Sequence, residues 1–274
     1  MADTNEQKIP KKLHYIWFGT GKKSDKMLHC MESWRIMCPD YEIIEWNENN
    51  FDLDKSPLIK TALAEKKWVL AADIARIFIL YEHGGIYIDT DVEIIKSLDP
   101  FLKNEFFVGY DNKYWANSAI IGGVKGHKVL DTITKLYASE VSLTLSCLLT
   151  VHMLSTVLKK HYNLRKNGKT TFLPDGVAIY SRDYFYPIDY LTRKKRFTDN
   201  THIIHHYTGT WATERQLSTL KFFQNTLGWL LNTPIIRPFE YIAARSYRAR
   251  ANKRLKKLDA LTSNQTPNST DIDA

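Results

Sequence analysis

Apolar and polar positions change rhythm repeatedly along the chain. Leu13 to Phe18 is nearly continuous in apolar and aromatic side chains and stops at Gly19, which predicts a strand. Asp25 to Met37 carries the spacing of a helix, Tyr41 to Trp46 reads as a second strand, and a helix is expected over Pro57 to Lys67. Trp68 to Gly85, "WVLAADIARIFILYEHGG", is a run of Ala, Leu and Ile closed by a glycine pair, as a helix ends. From Ile86 to Ile94 the period drops to two. Tyr87, Asp89, Asp91 and Glu93 would then share one face of a strand, crowding three carboxylates, while Ile86, Ile88, Val92 and Ile94 line the other. Strands are also expected at Phe106 to Tyr110, Ala119 to Gly122 and His202 to His206, with a helix at Lys128 to Tyr137. Strand and helix alternate, so the pattern predicts an open α/β sheet.

Composition turns this pattern into a domain plan. The 274 residues are 44% hydrophobic and 12% aromatic, enough for one large domain, expected over residues 9–233. Residues 1–8 and 259–274 read as disordered ends, and residues 234–258 as a basic amphipathic helix with Phe239, Ala243, Tyr247, Ala251 and Leu255 at every fourth position. Eight Lys and Arg against the single Glu240 lie between Arg237 and Lys257, which places nearly all of the net +8 there. The remaining chain is close to neutral, so nucleic acid is not an expected partner of the globular part; the basic helix suits an anionic membrane surface. The polar first dozen residues lack a secretory leader, from which a cytoplasmic chain is expected, peripheral on the inner face of the membrane. Val141 to Leu158 is nearly free of charge, yet seven positions are Ser, Thr or His, so one or two buried helices are expected in place of a membrane span. Cys30, Cys38 and Cys147 lack metal-ligand spacing and imply no disulfide framework.

Two features carry candidate chemistry. Asp89 and Asp91 are either the wet face of a strand or a cation site, because a divalent cation relieves the repulsion of neighbouring carboxylates. Asp-x-Asp also occurs at Asp52/Asp54 and Asp271/Asp273, so spacing alone does not choose. Asp73 and Arg76 lie three residues apart in an otherwise apolar helix, where they form either a structural ion pair or a site for a polar ligand such as a sugar.

Together, "IPKKLHYIWFG", "CMESWRIMCPDYEIIEWNENNFD", "AADIARIFILYEHGGIYIDTDVEIIKSLDP", "AIIGGVKGH" and "IIHHYTGTW" resemble the DXD-containing sugar transferases of glycosyltransferase family 32, which include bacterial capsular-polysaccharide enzymes and Golgi mannosyltransferases. The resemblance runs from Ile9 to Trp211. It implies the glycosyltransferase A fold, a Rossmann-like nucleotide-binding mixed sheet flanked by helices, followed here by C-terminal helices. It also implies a nucleotide-diphosphate-sugar donor with a uridine carrier favoured, Mn²⁺ or Mg²⁺, retention of configuration, and a glycan or lipid-linked glycan acceptor in capsular, exo- or cell-surface polysaccharide synthesis. By the same resemblance Trp17 stacks on the base, Asp73, Arg76 and Tyr87 hold the donor, Asp89 and Asp91 bind the cation, His206 completes the metal shell and Trp211 approaches the diphosphate. His205 would then point the other way and be structural. Asp111 falls where relatives carry a carboxylate near the reacting sugar, although a turn residue after a strand would look the same. No residue is marked as a covalent nucleophile, so displacement from the front face of the sugar is expected. The rival readings are a metal-dependent phosphohydrolase, which would use the same carboxylates on water, and a binding protein acting through its basic helix on nucleic acid or lipid.

Overall fold

The computed structural model describes residues 6–112, 115–139, 150–164, 167–190, 192–208 and 256. Seven strands form one mixed sheet in the order β2-β1-β3-β6-β5-β8-β7. These are β1 (Lys12–Ile16), β2 (Glu42–Trp46), β3 (Gly85–Ile88), β5 (Phe106–Tyr110), β6 (Ala116–Gly123), β7 (Thr171–Leu173) and β8 (Val177–Tyr180). β1 runs parallel to β2 and β3, β6 runs antiparallel between β3 and β5, and β8 is parallel to β5. A second ribbon pairs β4 (Val92–Ile94) with β9 (Ile203–His205).

The sheet separates two cores. On one side Ile16, Tyr87, Val108 and Ile121 pack under α2 (Pro57–Ala64), α3 (Trp68–His83), α4 (Lys128–Ser139) and α5 (Thr150–Tyr162). On the other, Leu13, Ile86, Ile88 and Phe107 pack against α1 (Asp25–Met37), the ribbon and α6 (Arg182–Phe185). This is the flanked mixed sheet that the resemblance implies. Local chemistry fixes the helix starts: the Ser24 hydroxyl accepts from the Met27 N–H at α1, and Ser56 caps α2 with Pro57 in its first turn. α3, buried from Ile74 through Leu80, stops at Gly84.

The glycine pair after α3 is a steric requirement. Gly84 and Gly85 have φ of +62° and +103°, and a Cβ on Gly85 would stand 2.8 Å from the Lys12 carbonyl and 2.9 Å from His14 Nε2. That close approach seats buried His14, whose Nε2 lies 2.8 Å from the Gly84 carbonyl oxygen and whose Nδ1 accepts from Trp46 Nε1 at 3.1 Å.

Several expectations need correction. Ile86 to Ile94 is not one strand: β3 ends at Ile88, residues 89–91 turn, and β4 leaves the large sheet. The cause is a competing surface, because α1 holds β4 through Trp34 Nε1 donating to the Val92 carbonyl at 2.7 Å and Ser33 Oγ accepting from Ile94 N at 2.9 Å. β7, β8 and α6 were not expected, although Pro174-Asp175-Gly176, with positive φ at Asp175 and Gly176, is a readable turn signal between two short strands. Within Val141 to Leu158 the buried helix α5 begins at Thr150 and continues to Tyr162, while residues 140–149 lie outside the described residues. So do residues 1–5, the basic segment 234–258 except Lys256, and the tail. No helix among the described residues is long and apolar enough to cross a membrane.

Candidate functional site

The turn at residues 89–91 sits where β3 ends, at the carboxyl end of parallel neighbours β1 and β3, the position at which open α/β sheets bind ligands. Each carboxylate there is oriented by a different neighbour. Asp89 Oδ1 accepts from the Tyr87 hydroxyl at 2.8 Å and lies 3.2 Å from Arg76 Nη1. Asp91 Oδ2 accepts from both the backbone N–H and the hydroxyl of Thr208, at 2.8 and 3.0 Å, while its Oδ1 stands 3.3 Å from His205 Nε2. One ligand atom from each of Asp89, Asp91 and His205 falls within 4.8 Å of the others.

Electrostatics sharpen this trio. Burial pushes the Asp89 carboxyl above its ordinary range, helped by the Asp91 charge and opposed by Arg76. Burial also works against the Asp91 charge, but His205 and Thr208 outweigh it and hold that carboxyl well below the usual range. His205 is raised: burial disfavours its cation, and the carboxylates of Asp91, Asp89 and Asp111 more than compensate. Its Nδ1 is buried without a hydrogen-bond partner among the described residues. Two carboxylates and an imidazole in a partly desolvated pocket are a donor set that fits a divalent cation.

The trio opens into a cleft of about 360 Å³ whose wall includes Trp17, Trp68, Arg76 and Tyr87. Trp17 is held by its Nε1, which donates to the Gly21 carbonyl at 2.9 Å, and by the Lys23 ammonium 5.1 Å from its ring centre. Lys23 is itself anchored 2.9 Å from Glu45. Trp68 packs over Gly19, where a Cβ would come within 3.1 Å of its indole. The Arg76 guanidinium lies 4.4 Å above the Tyr87 ring and donates to the Ser118 carbonyl at 2.7 Å.

The predicted residues divide accordingly. Trp17, Arg76, Tyr87, Asp89 and Asp91 meet at the cleft. Asp73 stands behind the wall: its Oδ2 accepts from Thr150 N at 2.6 Å and its Oδ1 lies 3.3 Å from Arg76 Nη2, so its carboxylate is engaged by the protein itself. Asp111 follows β5, accepts from Asn117 Nδ2 at 3.0 Å and leaves Oδ1 buried without a partner among the described residues, and burial raises its carboxyl. Trp211 lies outside the described residues.

His206 is corrected. β9 pairs Val92 with His205, and alternation along the extended chain turns the next ring to the opposite side. His206 Nε2 therefore lies 2.7 Å from Glu93 Oε2, away from Asp89 and Asp91, and His205 takes the place expected for it. Glu93 leaves the carboxylate cluster because the chain turns at residues 89–91 and β4 begins a new ladder. Sequence reasoning missed Trp68, Ser118, Tyr207 and Thr208. The last two stand inside "HHYTGTW", where Tyr207 adopts φ of +52° and brings its ring centre to 3.9 Å from that of His205.

Comparison with known proteins covers part of the chain. Residues 24–108 match a family model described as a glycosyltransferase sugar-binding region containing a DXD motif. Among curated proteins, the chain is 32% identical over 126 residues to inositol phosphoceramide mannosyltransferase 3 of Schizosaccharomyces pombe, covering 44% of this chain and 35% of that one. It is 27% identical over 128 residues to lactosylceramide 4-alpha-galactosyltransferase of Rattus norvegicus, covering 47% and 34%. The chain thus spans about a third of the length of these relatives. Among solved structures, the PaToxG glycosyltransferase is 20% identical with a TM-score of 0.47, covering 56% of this chain and 69% of that one.

Proposed function

We propose that this chain, whose residues 24–108 are a DXD-containing glycosyltransferase sugar-binding region, transfers a sugar from a nucleotide diphosphate, with uridine favoured, to a hydroxyl of a glycan or lipid-linked glycan. The observation that carries the reading is the convergence of Asp89, Asp91 and His205 beside an aromatic-walled cleft. Asp89, Asp91 and His205 would hold Mn²⁺ or Mg²⁺. Such a cation, when bound, supplies Lewis-acid stabilisation of the negative charge that builds on a departing diphosphate.

The chain's own groups do the rest. Trp17 offers a ring face to the base, and Arg76, always charged, adds a fixed positive charge beside Asp89. Tyr87 and Thr208 keep the two carboxylates aimed, and Tyr207 shields His205 from water. The carboxylates lining the cleft among the described residues, Asp89 and Asp91, are both assigned to the cation. That leaves neither a separate carboxylate nucleophile for double displacement nor a free carboxylate base for inverting attack there, which favours attack of the acceptor hydroxyl on the face the diphosphate leaves, with the departing phosphate taking its proton and with retention of configuration. A trapped glycosyl-enzyme adduct would refute it. The similarity to an inositol phosphoceramide mannosyltransferase and a lactosylceramide galactosyltransferase favours a lipid-linked acceptor, and the basic segment 237–258 would bring the chain to the anionic inner face of a membrane.

The test is thermal unfolding of the chain with UDP- and GDP-sugars, with and without Mn²⁺. Ligand at a hundredfold excess over its dissociation constant contributes about 2.7 kcal/mol, a rise of roughly 5–10 °C for a domain of this size. The rise should require Mn²⁺ and disappear in Asp91→Asn. No shift with any nucleotide would overturn the donor site.

A further inference from the structure

The stretch Arg193-Lys194-Lys195-Arg196-Phe197 places four consecutive cations before an aromatic, and the proposed donor site uses none of them. All five residues are exposed, Phe197 at 51%. Among the described residues no carboxylate lies within ion-pair distance of any of the four cations. Asp199, the nearest acid along the chain, accepts the Lys96 ammonium through its backbone carbonyl and stands exposed itself.

The turn is braced. Ile188 bridges Lys195, Asp189 N donates to the Lys194 carbonyl at 2.9 Å, and Arg196 N donates to the Pro187 carbonyl at 2.8 Å. Asp189 Oδ1 accepts from the N–H and hydroxyl of Thr192, and its Oδ2 accepts from Arg182 Nη1 at 3.2 Å. Arg193 then ties the turn to the candidate site, because its Nη2 donates to the His206 carbonyl at 3.1 Å, and Tyr190 packs 5.2 Å from Tyr207, a wall of the cleft. A cationic cluster with no carboxylate partner among the described residues, next to an exposed aromatic, is thus held by backbone hydrogen bonds beside the strip that carries His205.

We infer that Lys194, Lys195, Arg196 and Phe197 form a docking surface for an anionic lipid bilayer, set so that the cleft lies against the headgroup layer. Clustered cations are attracted to acidic headgroups, and the neighbouring aromatic ring gains by entering the interface, a combination that a merely solvated turn does not need. A soluble polyanion would satisfy the cations and leave Phe197 without a role. This surface is separate from the basic segment 237–258, and only its purpose, bringing the site to a lipid-linked acceptor, rests on the glycosyltransferase reading.

The test is flotation of the full chain with phosphatidylcholine vesicles, with and without phosphatidylglycerol, for the natural sequence, for the triple variant Lys194→Ala, Lys195→Ala, Arg196→Ala, and for Phe197→Ser. Arg193 is left in place because it holds the His206 carbonyl. At roughly fivefold in partition per cation near an acidic surface, the triple variant should lose at least about tenfold in binding to the anionic vesicles. Phe197→Ser should lose less, and both should keep the unfolding temperature of the parent. Equal partition of parent and triple variant, equal binding to neutral and anionic vesicles, or turn-dependent binding to heparin without binding to vesicles would each overturn the inference. Failure of the donor reading would appear elsewhere, as a missing Mn²⁺-dependent nucleotide shift in a chain whose vesicle binding still depends on the turn.

Discussion

The ribbon of β4 and β9 holds two carboxylate–imidazole pairs on opposite faces. Asp91 stands 3.3 Å from His205 on the inner face, and Glu93 stands 2.7 Å from His206 on the outer. By distance the outer pair is the better salt bridge, so contact length does not distinguish a site from a surface pair. The company each pair keeps does. The inner pair has Asp89 within ligand distance and feels Asp111, an excess of negative charge relieved by Arg76. The outer pair is a single carboxylate among His206, Lys26 at 3.5 Å and His29 at 3.6 Å, so its basic groups outnumber its acid. The first is a donor set that would hold a divalent cation, whereas in the second the lone carboxylate is already offset by Lys26.

The largest expected effect breaks or confirms this contrast at the level of chemistry. His205→Ala and Asp91→Asn should each lower kcat/KM for the proposed sugar transfer by about a hundredfold, the upper end of the loss seen when a supporting partner of a metal ligand is removed. His206→Ala should stay within about threefold, because its partner Glu93 faces away from the cleft. A reversed order would move the site to the outer face.

The next effect is on stability. The side chains of Asp73 and Arg76 are only 8% and 5% exposed, and Asp73 also receives the backbone N–H that starts α5. Asp73→Ala should lower the free energy of unfolding in urea by about 2–3 kcal/mol, since it leaves the buried Thr150 N–H without its acceptor and the buried guanidinium with Asp89 as its remaining carboxylate. Glu93→Gln on the outer face should cost under about 1 kcal/mol, because its partners Lys26 and His29 reach water. A large loss at Glu93 would show that the outer pair is structural.

Much of this organisation was legible in the sequence. The bounds of α1 and β5 match the expected Asp25 to Met37 and Phe106 to Tyr110, because each is flanked by clear stop signals and its apolar pattern is local. The carboxylates of the site were legible as a pair because Asp89 and Asp91 are only two residues apart, although it is the turn after β3, and not strand alternation, that brings them together. Illegible was the point at which β4 left the sheet, which depends on Trp34 and Ser33 from a helix some sixty residues away. That departure decides which histidine faces inward. Alternation correctly separated His205 from His206, but the face each takes is set by the register of β9 on β4, a tertiary fact. Asp73 was ambiguous by nature, since spacing shows that a buried charge has a partner without naming Thr150.

The smallest expected effect tests the charge contrast itself, in the metal-free protein. His205 should titrate above the ordinary value of 6.5, although burial opposes it, because its carboxylate neighbours prevail. His206 should titrate below 6.5, since burial and then Lys26 oppose its cation more than Glu93 favours it. The consequences for folding have opposite signs. A raised folded value gives a stabilisation that is complete below pH 6.5 and fades as pH rises through that folded value, so His205→Gln should destabilise the chain mainly on the acid side. A lowered folded value penalises the native state as pH falls from 6.5, so His206→Gln should relieve part of the acid-side loss, offset by the bond it gives up to Glu93. Urea midpoints measured across this range in the presence of a chelator, with the imidazole resonances followed by NMR, read both at once. Mn²⁺ competes with the proton only at a ligating imidazole, so its addition should drive the apparent pKa of His205 down and leave His206 unchanged. If both resonances moved together, the difference in company would not be what separates the two pairs, and distance would have to be reconsidered as the determinant.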